Sequence, residues 1–287
     1  MVINKNSPEA GTCYKKGYHS FFQGFNVEIK DTFFFAFVIQ FLLILMMYFH
    51  VGNGRYWKIL FYSSIAGLCG AVIEHATVAY ICQISELENY TKATPLLLNE
   101  CFWIISEYSI PILNLIKMNT LATPKIAKIT KLTIILLAVP FSTVRILIGW
   151  DRMINGYLSS ELGKELHGIC FGIMAVADII CTIYIIYFAR KNSKSLSSNC
   201  GTKSVMDRIK NSNYTILILV DLVSLMLSVL YIISTIFPGN PEYEASITLF
   251  HCLKSNFLLI LAVDALIFRY ETVNQTASSH YLYNSRN

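Results

Sequence analysis

A chain of 287 residues that is 54% hydrophobic and 14% charged, with a mean hydropathy of +0.51, is too apolar for a soluble globular domain of that length. Its formal net charge of +5 bears on membrane sidedness and implies no nucleic-acid partner. The composition points to an all-α integral membrane protein whose first partner is the lipid bilayer.

Residues 1–31 are polar, carry Lys5, Glu9, Lys15, Lys16, Glu28 and Lys30, and hold no cleavable-signal pattern; they read as an extracellular N-terminal tail. Apolar runs follow at 32–50, 59–82, 101–121, 132–150, 168–188, 215–237 and 247–268. Each is near the ~20 residues that cross a bilayer core as a helix. Residues 32–269 are thus a seven-transmembrane-helix bundle, and 270–287 a polar cytoplasmic tail. Only "NTLATPKIAKITK" separates the third run from the fourth, but Pro124 and three lysines predict a break there.

Sidedness follows from the basic residues. With the N-terminus outside and the C-terminus cytoplasmic, the outer segments hold seven (Lys5, Lys15, Lys16, Lys30, Lys92, Arg152 and Lys164) and the inner ones fourteen, six of them within 190–212. The first span alone argues the other way, because the tail before it is at least as basic as the loop after it. Asn89 opens an "NYT" glycosylation triplet in what would be an outer loop, although Asn213 and Asn274 open similar triplets on or near the inner side. Cys13, Cys82 and Cys101 would share the outside, which is compatible with one disulfide among them. Cys69, Cys170, Cys181 and Cys252 lie in or beside apolar runs and read as small buried hydrophobes.

Several spans carry polar faces. The second has Ser63, Gly67, Gly70 and Glu74 on one face, with His75 next; the small residues admit a close neighbour and the stripe ends in an acid. The third, "NECFWIISEYSIPILNLIKM", spaces Glu100, Glu107 and Asn114 by seven residues, so they share one face with Trp103, and Pro111 frees a backbone carbonyl. Arg145 lies near the outer end of the fourth run. The fifth repeats the small-residue stripe with Gly168, Gly172, Ala175, Asp178 and Thr182, and the sixth has Asp221, Ser224, Ser228, Tyr231 and Thr235. The seventh carries His251, Lys254 and Asp264.

At ~1.5 Å per residue, Glu74, Glu107, His251 and Lys254 fall in the outer half, with Glu107 and Lys254 at depths that allow them to pair. With Trp103 they form a candidate ligand-binding set, or a salt bridge that merely holds helices together. Asp221 and Asp264 fall together in the inner half, with Asp178 near the middle. These three are a candidate cation or proton relay, or acids hydrogen-bonded to serines and waters. His75, His167 and His251 sit on three different spans without ligand spacing, so no metal site, no cofactor and no enzyme activity is expected.

The stretches "NECFWIISEYSIPILNLIKM" and "RILIGWDRMINGY" resemble parts of uncharacterised fungal seven-helix membrane proteins, a likeness that spans the whole chain loosely. It implies the same bundle and carries over no activity or site residue. The architecture is also similar to that of seven-helix receptors. The rhodopsin-like signatures are missing: the third span ends "LNLIKMNT" and the seventh "VDALIFRYE".

The expectation is a receptor for an unknown small ligand in the outer half, signalling through inner loops. The basic, serine-rich segment 190–212 is either a docking site for a cytoplasmic signalling protein or a solvated loop that enforces topology. The alternative is a proton or cation transporter, since six acids (Glu74, Glu100, Glu107, Asp178, Asp221, Asp264) outnumber Arg145 and Lys254. A retinal Schiff base on Lys254 ranks lower, because the acid that microbial retinal proteins carry one turn before the lysine is Phe250 here. A plasma-membrane location follows from the receptor reading.

Overall fold

The computed structural model describes residues 4–52, 54–89, 92–196, 203–237 and 241–267, and these are helical apart from turns, loops and one backbone bridge between Tyr18 and Gln83. A 3-10 turn (Pro8–Ala10) and α1 (Phe21–Glu28) precede α2 (Thr32–Val51), α3 (Arg55–Ile81), α4 (Thr94–Leu121) and α5 (Pro124–Asn155). Then come α6 (Glu161–Leu196), α7 (Lys203–Ile236) and α8 (Pro241–Ser255). After a break at Asn256, helix resumes over 257–267. Seven of these helices are long and apolar enough to cross a membrane, the last as Ala245–Ile267. Residues 197–202 of the 190–212 segment, Tyr90 and Thr91 of the "NYT" triplet, and the 270–287 tail lie outside the described residues.

The apolar runs mark only the middles of the helices. α4 begins at Thr94 and α5 continues past Trp150 to Asn155, because helix ends carry polar side chains that hydropathy rejects. The predicted break between the third and fourth spans is present but consists of Ala122 and Thr123 alone, both extended. Pro124 restrains Thr123 and begins α5, where a missing N–H is no loss. Lys125, Lys128 and Lys131, which read as loop, are on α5.

Successive helices pack as antiparallel neighbours, and α2 against α8 closes the ring. α4 also packs on α6 and is the central helix, with 56% of its apolar window buried against 22% for α2. The small-residue stripes fulfil their expected role. A Cβ at Gly67 would lie 2.9 Å from both Phe37 and Ser106, so α3 can approach α2 and α4 only because that position is glycine.

One end of the bundle is capped. Cys13 and Cys82 form a disulfide, which tethers residues 4–31 to the end of α3. Tyr18 N–H donates to Cys82 O at 3.1 Å, Ser159 N–H to Ala10 O at 3.1 Å and Leu158 N–H to Thr12 Oγ1 at 2.8 Å, so the cap also holds the α5–α6 connection. Lys5 Nζ donates to the carbonyls of Ile81, Glu86 and Asn89, satisfying the end of α3 and the loop after it. Burial holds the Lys5 ammonium below its usual pKa, opposed by nearby Glu86. The Tyr18 hydroxyl donates to Glu28 at 2.5 Å; burial and that carboxylate raise its pKa. A tail expected to be merely polar is thus a folded lid, and its signal in the sequence was Cys13.

Candidate functional site

Antiparallel packing of α4 and α5 sets the geometry of the charges at the disulfide end. Glu100 and Glu107 are seven residues apart on α4, and Arg145 and Arg152 are seven apart on α5. Both pairs therefore repeat every two turns and meet in register. Arg152 Nη1 donates to Glu100 Oε1 at 2.8 Å, and Arg145 Nη1 to Glu100 Oε2 at 2.9 Å. The other Arg145 nitrogen, Nη2, donates to Glu107 Oε2.

Two further residues extend the set. Lys254 Nζ on α8 donates to Glu107 Oε1 at 2.5 Å, the pairing that their depths imply, and Arg152 reaches Glu74 on α3 at 3.8 Å. Glu74 is also held by Asn99 Nδ2 at 2.9 Å and Trp103 Nε1 at 3.3 Å. The result is a six-membered ladder of alternating sign, Glu74, Arg152, Glu100, Arg145, Glu107 and Lys254, running across α3, α5, α4 and α8. Glycine makes room for it: a Cβ at Gly149, between the two arginines, would lie 2.8 Å from Glu100 Cγ and 3.1 Å from Leu97 Cα.

The ladder corrects two sequence readings. Arg145 is not close to the end of its helix, and Arg152 is not a loop residue, because α5 runs on to Asn155. Asp151 and Arg152 interrupt hydropathy there, but Arg152 is used inside the bundle, while Asp151 accepts from Asn155 and Ser160 at the α5–α6 connection. The heptad match between the acids of one helix and the arginines of the next was the signal available in the sequence.

Above the ladder is a cavity of about 330 Å³. Glu74, Trp103, Glu107, His251 and Lys254, the candidate ligand-binding residues, all line it, together with Arg145, Arg152, His167 and Tyr231. The walls include Phe33 of α2, so every one of the seven long helices contributes. Its side is aromatic: Trp103 packs 5.1 Å from Phe37, and His251 lies 6.0 Å from Phe33 and 5.8 Å from Tyr231. Lys254 Nζ sits 3.7 Å over the Phe171 ring, a cation–π contact that helps hold the ammonium away from water.

Gln40 also lines the cavity, and sequence reading missed it. Its side-chain oxygen accepts from Leu259 N–H at 3.3 Å, where the last helix is interrupted at Asn256. Gln40 Nε2 has no hydrogen-bond partner among the described residues. A glutamine in an otherwise apolar α2 is the trace this leaves in the sequence.

The three candidate relay acids are not one unit. Asp264 is paired with Lys117 of α4, whose ammonium also lies 5.7 Å over the Tyr56 ring. Asp178 accepts from Asn114 Nδ2 at 2.9 Å and interacts electrostatically with Asp221. The excess of carboxylates is correspondingly smaller than six acids against two cations suggests. Arg152 and Lys117 join Arg145 and Lys254 as partners, and Asp178 and Asp221 are the acids left without an ion pair among the described residues.

The described residues hold no group of three or more His, Cys, Asp or Glu arranged for a metal ion. The cavity presents charged and aromatic surface. No protein-family model, curated protein or solved structure matches the chain.

Proposed function

We propose that the chain is a seven-helix plasma-membrane receptor that takes a small ligand into the cavity at the disulfide end. That end faces outside and the C-terminus lies in the cytosol. The observation that carries this reading is that all seven long helices line one cavity. A ligand there touches every helix, so any difference in its affinity for two bundle arrangements shifts the population between them.

The aromatic wall suits an apolar ligand body. The ladder balances three acids against three cations, which suits a polar group that is neutral or zwitterionic. The interruption of the last helix at Asn256, next to Lys254 and tied to α2 through Gln40, supplies an element able to pass a change toward the opposite end.

The orientation is supported by the Cys13–Cys82 disulfide, since such bonds persist in oxidising compartments, and by the inner excess of basic residues. The basic segment 190–212 is the proposed contact for a cytoplasmic signalling protein. A second reading, proton or cation transport, draws on Asp178 and Asp221, which no cation among the described residues pairs.

One experiment separates the two. Purified protein is screened by thermal shift against small amphipathic molecules, hits are tested for nucleotide exchange on added G proteins, and the same protein is assayed for ion flux in liposomes. The receptor reading expects hits whose stabilisation is lost in Trp103→Ala and His251→Ala, with no flux. Flux that Asp221→Asn abolishes, with no ligand response, would replace it with transport.

A further inference from the structure

Asp178 and Asp221 lie between α6 and α7, on faces set by the small-residue stripe. A Cβ at Gly168 would meet Ser228 and Ile232, and one at Gly172 would meet Ser228. Carried along antiparallel helices, that register brings Asp178 level with Asp221, places Thr182 one turn further from the disulfide end, and places Ser224 one turn nearer to it. Asn114 closes the third side from α4 through its 2.9 Å bond to Asp178 Oδ1.

Around this point Asp178 Oδ2, Asp221 Oδ1, Asn114 Oδ1 and Ser224 Oγ have no hydrogen-bond partner among the described residues, while the Thr182 hydroxyl is turned to the Asp221 carboxyl. Asp178, Asn114 and Ser224 are 0% exposed. Buried polar atoms are normally satisfied, and orphaned oxygens beside two unpaired carboxylates are costly. Water would satisfy the oxygens but would leave the negative charge of the carboxyl pair uncompensated.

Oxygen-only donors with carboxylates among them are the ligand set of a hard cation. Four oxygens fall short of the roughly six to eight that calcium takes, and two close carboxyls that share one proton carry the single negative charge that a monovalent ion balances. We propose that Asp178, Asp221 and Asn114, with the hydroxyl of Ser224, bind one desolvated monovalent cation of sodium size. The ion ties α4, α6 and α7 together, deeper in the bundle than the ligand cavity. The assignment does not rest on the receptor reading, because the site is separate from that cavity.

The test uses the full-length protein in detergent at constant ionic strength, with choline chloride replaced stepwise by sodium chloride. Wild type is expected to gain several degrees in Tm with a saturating dependence, and to bind about one radioactive sodium ion per chain in equilibrium dialysis. Asp178→Asn and Asp221→Asn should lose both. Ser224→Ala keeps the fold if the acid variants do not, and should weaken sodium binding several-fold. Equal Tm in choline and sodium without bound sodium would overturn the proposal, showing that the acids hold protons instead. Sodium binding unchanged in all three variants, or binding of calcium or magnesium but not sodium, would also overturn it.

Discussion

Two groups of carboxylates lie within the same helical bundle under opposite terms. At the disulfide end Glu74, Glu100 and Glu107 alternate with Arg152, Arg145 and Lys254, and each acid is within ion-pair distance of a cation. Between α6 and α7, Asp178 and Asp221 face each other, an asparagine and two hydroxyls, with oxygens to spare. The first group can be read as architecture that also floors a cavity, whereas the second is incomplete in protein atoms alone. Burying a charge is favourable or costly according to what the helix register sets opposite it, so counting charges along the spans cannot tell the two groups apart.

The largest effect expected on this contrast is that of Arg145→Met. It strips Glu107 and Glu100 of the guanidinium they share and should cost about 3–5 kcal/mol, read as loss of folded protein or a large drop in Tm in detergent. A small change would mean that the ladder is not a buried network. Lys254→Met should cost less, roughly 1–3 kcal/mol, because Glu107 keeps Arg145. Adding Glu107→Gln to it should return part of that loss in a double-mutant cycle, and strict additivity would contradict the pair.

Gly149→Ala pushes a methyl group against Glu100 and the Leu97 backbone and should cost about 1–3 kcal/mol by thermal unfolding. A neutral result would show that α4 and α5 stand further apart. The smallest effect has the opposite sign. In sodium-free buffer Asp178→Asn should stabilise by about 1 kcal/mol, since it removes an uncompensated buried charge, whereas Glu100→Gln in the same assay should destabilise. Destabilisation of both to the same degree would erase the distinction between the two regions.

The sequence makes the seven helices legible because each apolar run is long and the breaks carry proline, lysine or glycine. It also brings Glu107 and Lys254 together, since depth along a helix is a linear measure. What it hides is azimuth and register. Arg152 reads as a loop residue because hydropathy drops at Asp151, although it is ion-paired within the bundle, and the partner of Lys117, which lies inside the third apolar run, is not visible along the chain. Gln40 is invisible as a functional residue until the interruption at Asn256 leaves the Leu259 N–H for it to accept. Of the candidate disulfide partners, Cys101 faces outward from α4 while Cys13 and Cys82 pair, a choice made by the fold of the cap and not by the spacing of the cysteines.

The central claim is that the all-helix cavity opens outward as a ligand site, and Cys252, a free thiol in its wall, reports on it directly. In a variant that keeps Cys252 and the Cys13–Cys82 pair and replaces the remaining cysteines, a membrane-impermeant methanethiosulfonate is applied to intact cells. The account predicts that Cys252 is modified from outside and that a compound stabilising the purified protein slows the modification. Modification seen only after permeabilisation, or unaffected by every stabilising compound, would contradict it.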